Sequence, residues 1–122
     1  MSRVLIVDDD PSIRRLLTTL AKREGIQADS AADGGEAIAL LRTHSYAIVL
    51  LDLMMPRVDG HGVLQFLERE RQAPSPWVIV MTAAVQTAVE TIQSRPVYRV
   101  LPKPFDIRDL IQHVRELQSP AP

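Results

Sequence analysis

Val4-Leu5-Ile6-Val7-Asp8-Asp9-Asp10-Pro11 decides the fold of this chain. Four consecutive apolar residues are too few for a buried helix. Without alternation, they suit a strand covered on both faces. The strand runs into three carboxylates. Asp10-Pro11 then has the form of a helix N-cap followed by proline at the first helical position. The order strand, acidic turn, helix recurs further on. Ile48 to Leu51 is a second unbroken run, followed by Asp52, and Trp77 to Met81 a third, followed by Thr82.

Helical spacing fills the intervals. Ile13, Leu16, Leu17 and Leu20 stand at i, i+3, i+4 and i+7, as do Val85, Ala88, Val89 and Ile92. Ile107, Leu110, Ile111, Val114 and Leu117 continue the pattern, and Glu36 to Arg42 and Val63 to Arg71 are weaker helices. Gln27 to Ala31 and Tyr98 to Leu101 are strands whose mixed polarity places them at sheet edges. Gly25 stops the first helix, and Gly34-Gly35 marks a turn. Pro74 and Pro76 precede the fourth strand, and Pro120 and Pro122 follow the last helix. Five strand–helix units in strict alternation predict an α/β fold, a doubly wound five-stranded parallel sheet with five helices. Residues 1–118 form one domain, and 119–122 a C-terminal tail or the start of a linker.

Composition narrows the function. An apolar share of 46% and a charged share of 24% are those of a globular domain. The net charge of −1, with no basic run, argues against direct contact with nucleic acid or anionic lipid. The absence of cysteine excludes disulfides, thiolate metal sites and thiol nucleophiles. No apolar run approaches the ~18 residues of a membrane span, and the N-terminus lacks a signal peptide's apolar core. A cytoplasmic location is expected.

In parallel α/β sheets, function gathers at the carboxyl ends of the strands. Asp8, Asp9, Asp52, Thr82 and Lys103 all fall there. Clustered carboxylates repel, so they raise a pKa or bind a hard cation. Oxygen ligands without Cys or nearby His favour Mg²⁺, with Mn²⁺ as the alternative. A cation there would screen an incoming phosphoryl group and leave a carboxylate as nucleophile. Thr82 can donate to one phosphoryl oxygen, and Lys103 can neutralise another. Each residue also has a plainer reading, as cap, solvated turn or surface lysine. Asp10 takes that reading, as a cap; for the rest it requires four coincidences on one rim. His44, His61 and His113 are scattered and read as surface residues; Trp77 is expected to pack where its strand begins.

These residues resemble the receiver domain of two-component response regulators over essentially the whole chain. The likeness rests on Val4 to Pro11, Ile48 to Pro56 with Asp59-Gly60, Val80-Met81-Thr82-Ala83 and Lys103-Pro104-Phe105. It implies a flavodoxin-like strand order of 2-1-3-4-5. It also implies that Asp52 accepts a phosphoryl group from a phosphohistidine on a sensor histidine kinase or phosphotransfer protein. Asp9, Asp52 and the Met54 backbone carbonyl would hold Mg²⁺, with Asp8 acting through a water. Thr82, Ala83 and Lys103 would bind the phosphoryl group, and the Lys103–Pro104 bond would be cis. The partner face would be the fourth helix (around Val85 to Ile92), the fifth strand and the fifth helix; a homodimer could use the same face, and an output domain or effector would read it.

One position departs from the family pattern. Receivers usually carry Tyr or Phe three residues before the lysine as a switch, and Val100 stands there. Tyr98 is the nearest aromatic and, on a regular strand, would point to the same side. Met54 and Ala84, two residues after Asp52 and Thr82, offer no side chain to orient a water, so a phosphorylated form should not be unusually short-lived. Two other functional classes compete. One is a haloacid-dehalogenase-like phosphatase using Asp8 and Asp10; the other is a receiver-shaped binding module that is never phosphorylated. The favoured reading is not an enzyme with a separate substrate.

Overall fold

The computed structural model describes residues 3–52, 60–70, 76–82, 97–102 and 107–118. Strands β1 (Arg3–Val7), β2 (Gln27–Ala31), β3 (Ile48–Asp52), β4 (Trp77–Thr82) and β5 (Val97–Pro102) form one sheet in the order β2-β1-β3-β4-β5. Every pairing is parallel. Helices α1 (Pro11–Arg23), α2 (Gly34–Thr43), α3 (Gly60–Glu70) and a C-terminal helix (Ile107–Gln118) accompany it. The helix predicted around Val85 to Ile92 lies outside the described residues.

The unbroken apolar strands have a direct explanation. Val4 and Ile6 pack with Leu17, Ile48, Leu50, Ile79, Met81, Leu110 and Val114 on one side of the sheet. Leu5 and Val7 pack on the other with Ala37, Leu41, Val49, Leu51, Val63, Leu64, Val78 and Val80. Successive side chains leave a strand on opposite faces, so only a sheet covered on both makes every position apolar. Burying each large aliphatic side chain contributes about 1.5–3 kcal/mol. The two mixed-polarity strands are the edges, as their sequences predict.

Local chemistry sets the helix ends. Asp10 caps α1, its carboxylate accepting from Ser12 N at 2.8 Å. Gly25 follows α1 with φ +73°, a left-handed conformation natural to glycine. Gly34-Gly35, expected as a turn, instead open α2. Asp33 is extended and accepts from Glu36 N at 2.8 Å, while Glu36 Oε2 accepts from Ala32 N at 3.2 Å. This side-chain capping holds two glycines in helical geometry despite their low propensity.

Three side chains depart from expectation. Trp77, the first residue of β4, is 52% exposed, although its rung partner Ile48 is fully buried. Leu16 is 43% exposed while Leu17 is buried, since the apolar stripe of α1 is wider than its contact with the sheet. His113 is half-buried on the C-terminal helix, one position before buried Val114, and lies 3.8 Å from Glu116.

Candidate functional site

Because the strands are parallel, their carboxyl ends share one rim. β3 ends at Asp52 and β4 at Thr82, each one residue later than the apolar run alone suggests. Asp52 pairs with Met81, and Thr82 pairs with Pro102 at the end of β5. Asp8 continues β1, its amide donating to Ala31 O at 3.2 Å. Asp8, Asp52 and Thr82 are all buried, at 0%, 3% and 1% exposure.

Asp8, Asp9 and Asp52 each offer a carboxylate oxygen, and these oxygens lie within 4.8 Å of one another. Asp9 is exposed while its two companions are buried. Three carboxylates this close repel strongly unless a cation sits among them. An all-oxygen donor set suits a hard divalent ion such as Mg²⁺. The residues present therefore fit the group that the sequence implies. Asp10 stays apart, its carboxylate engaged as the α1 cap. A nucleophile pair of Asp8 and Asp10 therefore does not form.

The acidic turn is held by its own atoms. Asp8 Oδ1 accepts from Asp10 N at 2.9 Å. Arg14 Nη1 donates to the Asp8 carbonyl oxygen at 2.7 Å, and Arg14 N donates to Asp10 O at 3.0 Å. Sequence reading passed over Arg14. A signal was present, since a cation near a helix N-terminus opposes the helix dipole and calls for another reason to be there.

Met54, Ala83, Ala84, Lys103 and the Lys103–Pro104 bond lie outside the described residues. β5 brings the chain to Pro102, one residue before Lys103, on the rung beside Thr82. For the switch positions, the register is informative. Val78 pairs with Val97 and Ile79 with Arg99, leaving Tyr98 unpaired at an irregularity, while Val100 pairs with Val80. The period-two relation between Tyr98 and Val100 assumes a regular strand and does not carry across this bulge.

Comparison with known proteins agrees with this geometry. The family model "Response regulator receiver domain" matches residues 4–115. A probable transcriptional regulator, ycf27, from Porphyridium aerugineum is 35% identical over 94% of this chain and 47% of its own length. The transcriptional regulatory protein SrrA of Staphylococcus aureus is 36% identical over 95% and 47%. The chain thus spans about half the length of these curated relatives. Among solved structures, the receiver domain of Francisella response regulator 1452 matches with a TM-score of 0.85 and 34% identity, covering 96% of both chains. Response regulator TrrA from Thermotoga maritima, solved in complex with Mg(2+)-BeF, matches with a TM-score of 0.78 and 29% identity, over 96% of this chain and 99% of that one. Neither the phosphatase reading nor the inert-module reading gains support from any of these. A buried aspartate at the end of β3, beside an acidic turn after β1 and a threonine ending β4, is thus joined to a family match along nearly the whole chain: the protein belongs to the response regulator receiver domains of two-component signalling.

Proposed function

We propose that Asp52 is the phosphoryl acceptor of this receiver and that Mg²⁺ is its resident ion. The observation that carries the reading is the placement of buried Asp52 within reach of Asp8 and Asp9. An Asp52 carboxylate oxygen attacks the phosphorus of a phosphohistidine. The new O–P bond forms as the N–P bond breaks, and the histidine nitrogen leaves with the bonding pair. Asp9 and Asp52 would hold Mg²⁺ with the Met54 carbonyl, and Asp8 through a water, supplying positive charge for the phosphoryl oxygens. Mn²⁺ has no support of its own. Thr82 donates its hydroxyl to one phosphoryl oxygen, with the Ala83 amide beside it, and Lys103 offers an ammonium to another. Burial of Asp52 and Thr82 keeps water away and strengthens these interactions.

The donor is a sensor histidine kinase or a histidine phosphotransfer protein. The chain acts as acceptor, without a separate substrate to turn over, and its phosphorylated form is not unusually short-lived. Residues 1–118 are the receiver unit and 119–122 a tail or linker. The output surface comprises the 85–92 segment, β5 and the C-terminal helix, and the same face could pair two copies. Val100 replaces the aromatic switch. The expectation of no nucleic-acid contact is confined to the receiver. Two relatives with names of transcriptional regulators extend well beyond it, so a DNA-directed output in a longer protein is part of this reading. No helix among the described residues is long and apolar enough to cross a membrane, which suits a cytoplasmic role.

Acid-quenched labelling with radiolabelled acetyl phosphate and Mg²⁺ tests the reading. Label should appear on the wild type and vanish in Asp52→Asn. Label retained in Asp52→Asn but lost in Asp8→Asn would overturn it.

A further inference from the structure

We infer that Arg14 is a positioning residue for the metal site, acting through the Asp8 carbonyl in the peptide that leads into Asp9. The inference rests on the Mg²⁺ reading above and adds a part to it. Asp9 is the exposed member of the carboxylate trio, so burial does not fix its direction. Its orientation must come from the two peptide units that flank it.

Both units are clamped. The peptide joining Asp8 to Asp9 has its carbonyl oxygen bound by Arg14 Nη1 at 2.7 Å. The peptide joining Asp9 to Asp10 has its N–H bound by Asp8 Oδ1 at 2.9 Å, and the next carbonyl along, Asp10 O, accepts from Arg14 N at 3.0 Å. Fixing the planes before and after one Cα fixes the direction in which its side chain leaves. Arg14 therefore grips the turn twice: by its amide at Asp10 O, and by its guanidinium at Asp8 O. The first bond is ordinary helix geometry. The second is a charge-assisted bond reaching back six residues, made by a cation in a place the helix dipole disfavours.

Two roles for this guanidinium predict opposite results. As a mere charge near an acidic site it would repel Mg²⁺, and removing it would tighten binding. As a clamp it holds Asp9 ready, and removing it would weaken binding. The bond's strength and directness favour the clamp. The ordering of the turn would otherwise fall on the ion, lowering its affinity.

The test is an NMR titration of the 122-residue chain with MgCl₂, read at the Asp9 and Asp10 amides. Melting temperatures in EDTA are measured alongside. Arg14→Met should weaken Mg²⁺ binding about tenfold, in line with loss of a bond to a charged group. Arg14→Lys, which keeps a charged donor, should recover most of that loss. A change in EDTA melting alone, with Mg²⁺ affinity unmoved at a temperature where every variant is folded, would reduce Arg14 to a structural role and overturn the inference. Tighter binding in Arg14→Met would also overturn it. A wild type that binds no Mg²⁺ would instead overturn the metal reading itself.

Discussion

Asp8 and Asp52 occupy equivalent rungs of neighbouring strands: Val7 pairs with Leu51, and each aspartate is the next residue along its chain. Adjacent strands lie about 4.8 Å apart, so two buried carboxylates are set side by side. At that separation like charges repel by roughly 3 kcal/mol for an effective dielectric near 20. The site therefore holds repulsion that a cation relieves. Asp52→Asn should raise the melting temperature in EDTA by about 3–6 °C, a gain of roughly 1 kcal/mol or somewhat more. Calorimetry in EDTA checks this, and an unchanged or lower midpoint would contradict the repulsion argument.

Asp9 differs from its companions in being exposed. Asp9→Asn should change stability in EDTA by no more than about 0.5 kcal/mol, as surface substitutions usually do. In the wild type, Mg²⁺ at about ten times its dissociation constant should add roughly 1.4 kcal/mol. Asp9→Asn should lose most of that gain. Thermal melts with and without MgCl₂ give both numbers, and a full Mg²⁺ gain in the variant would remove Asp9 from the ligand set.

Away from the rim, the Tyr46 hydroxyl donates to Asp29 Oδ2 at 2.6 Å and joins the segment before β3 to edge strand β2. Burial, followed by this bond to a carboxylate, pushes the Tyr46 hydroxyl well above its usual pKa. A folded-state pKa raised above the unfolded one gives stability that is fully present below the unfolded value, about 10, and is lost as pH rises through the folded value. Tyr46→Phe should cost about 1–2 kcal/mol at neutral pH. The cost should stay flat from about pH 6 to 9, in urea unfolding curves taken at several pH values. A cost that vanished by about pH 9 would mean that the bond fails before the hydroxyl ionises.

Gly25 has open space around a hypothetical Cβ, yet its φ is +73°. Gly25→Ala should therefore cost about 1 kcal/mol from backbone conformation alone, and Gly25→Asn less. Urea midpoints distinguish the two. Equal losses for Ala and Asn would point to a steric cause instead.

Much of this was legible in the sequence because each signal was local or periodic. Val4 to Val7 required cover on both faces, and the two core clusters supply it. Asp10-Pro11 and Gly25 announced the ends of α1 by their own backbone chemistry. Gly34-Gly35 misled because the capping atoms belong to Asp33 and Glu36, whose side chains override glycine's preference. Trp77 misled because a strand's first residue can be exposed while the next, Val78, is fully buried, and the strand's own sequence does not record which. Tyr46 with Asp29, and Arg14 with Asp8, went unread for the same reason: each pairing is made by three-dimensional proximity or a back-reaching side chain.

The bulge in β5 lies three rungs from Thr82, between Val78 and Ile79 on the partner strand. One surplus residue is taken up at Tyr98, and from Arg99 onward the pairing proceeds in step to Pro102. The strand thus carries its slack at the far end and delivers its last residues in fixed phase. Removing the surplus residue at Tyr98 would shift Val97 against Val78 and leave Pro102 on the rung beside Thr82.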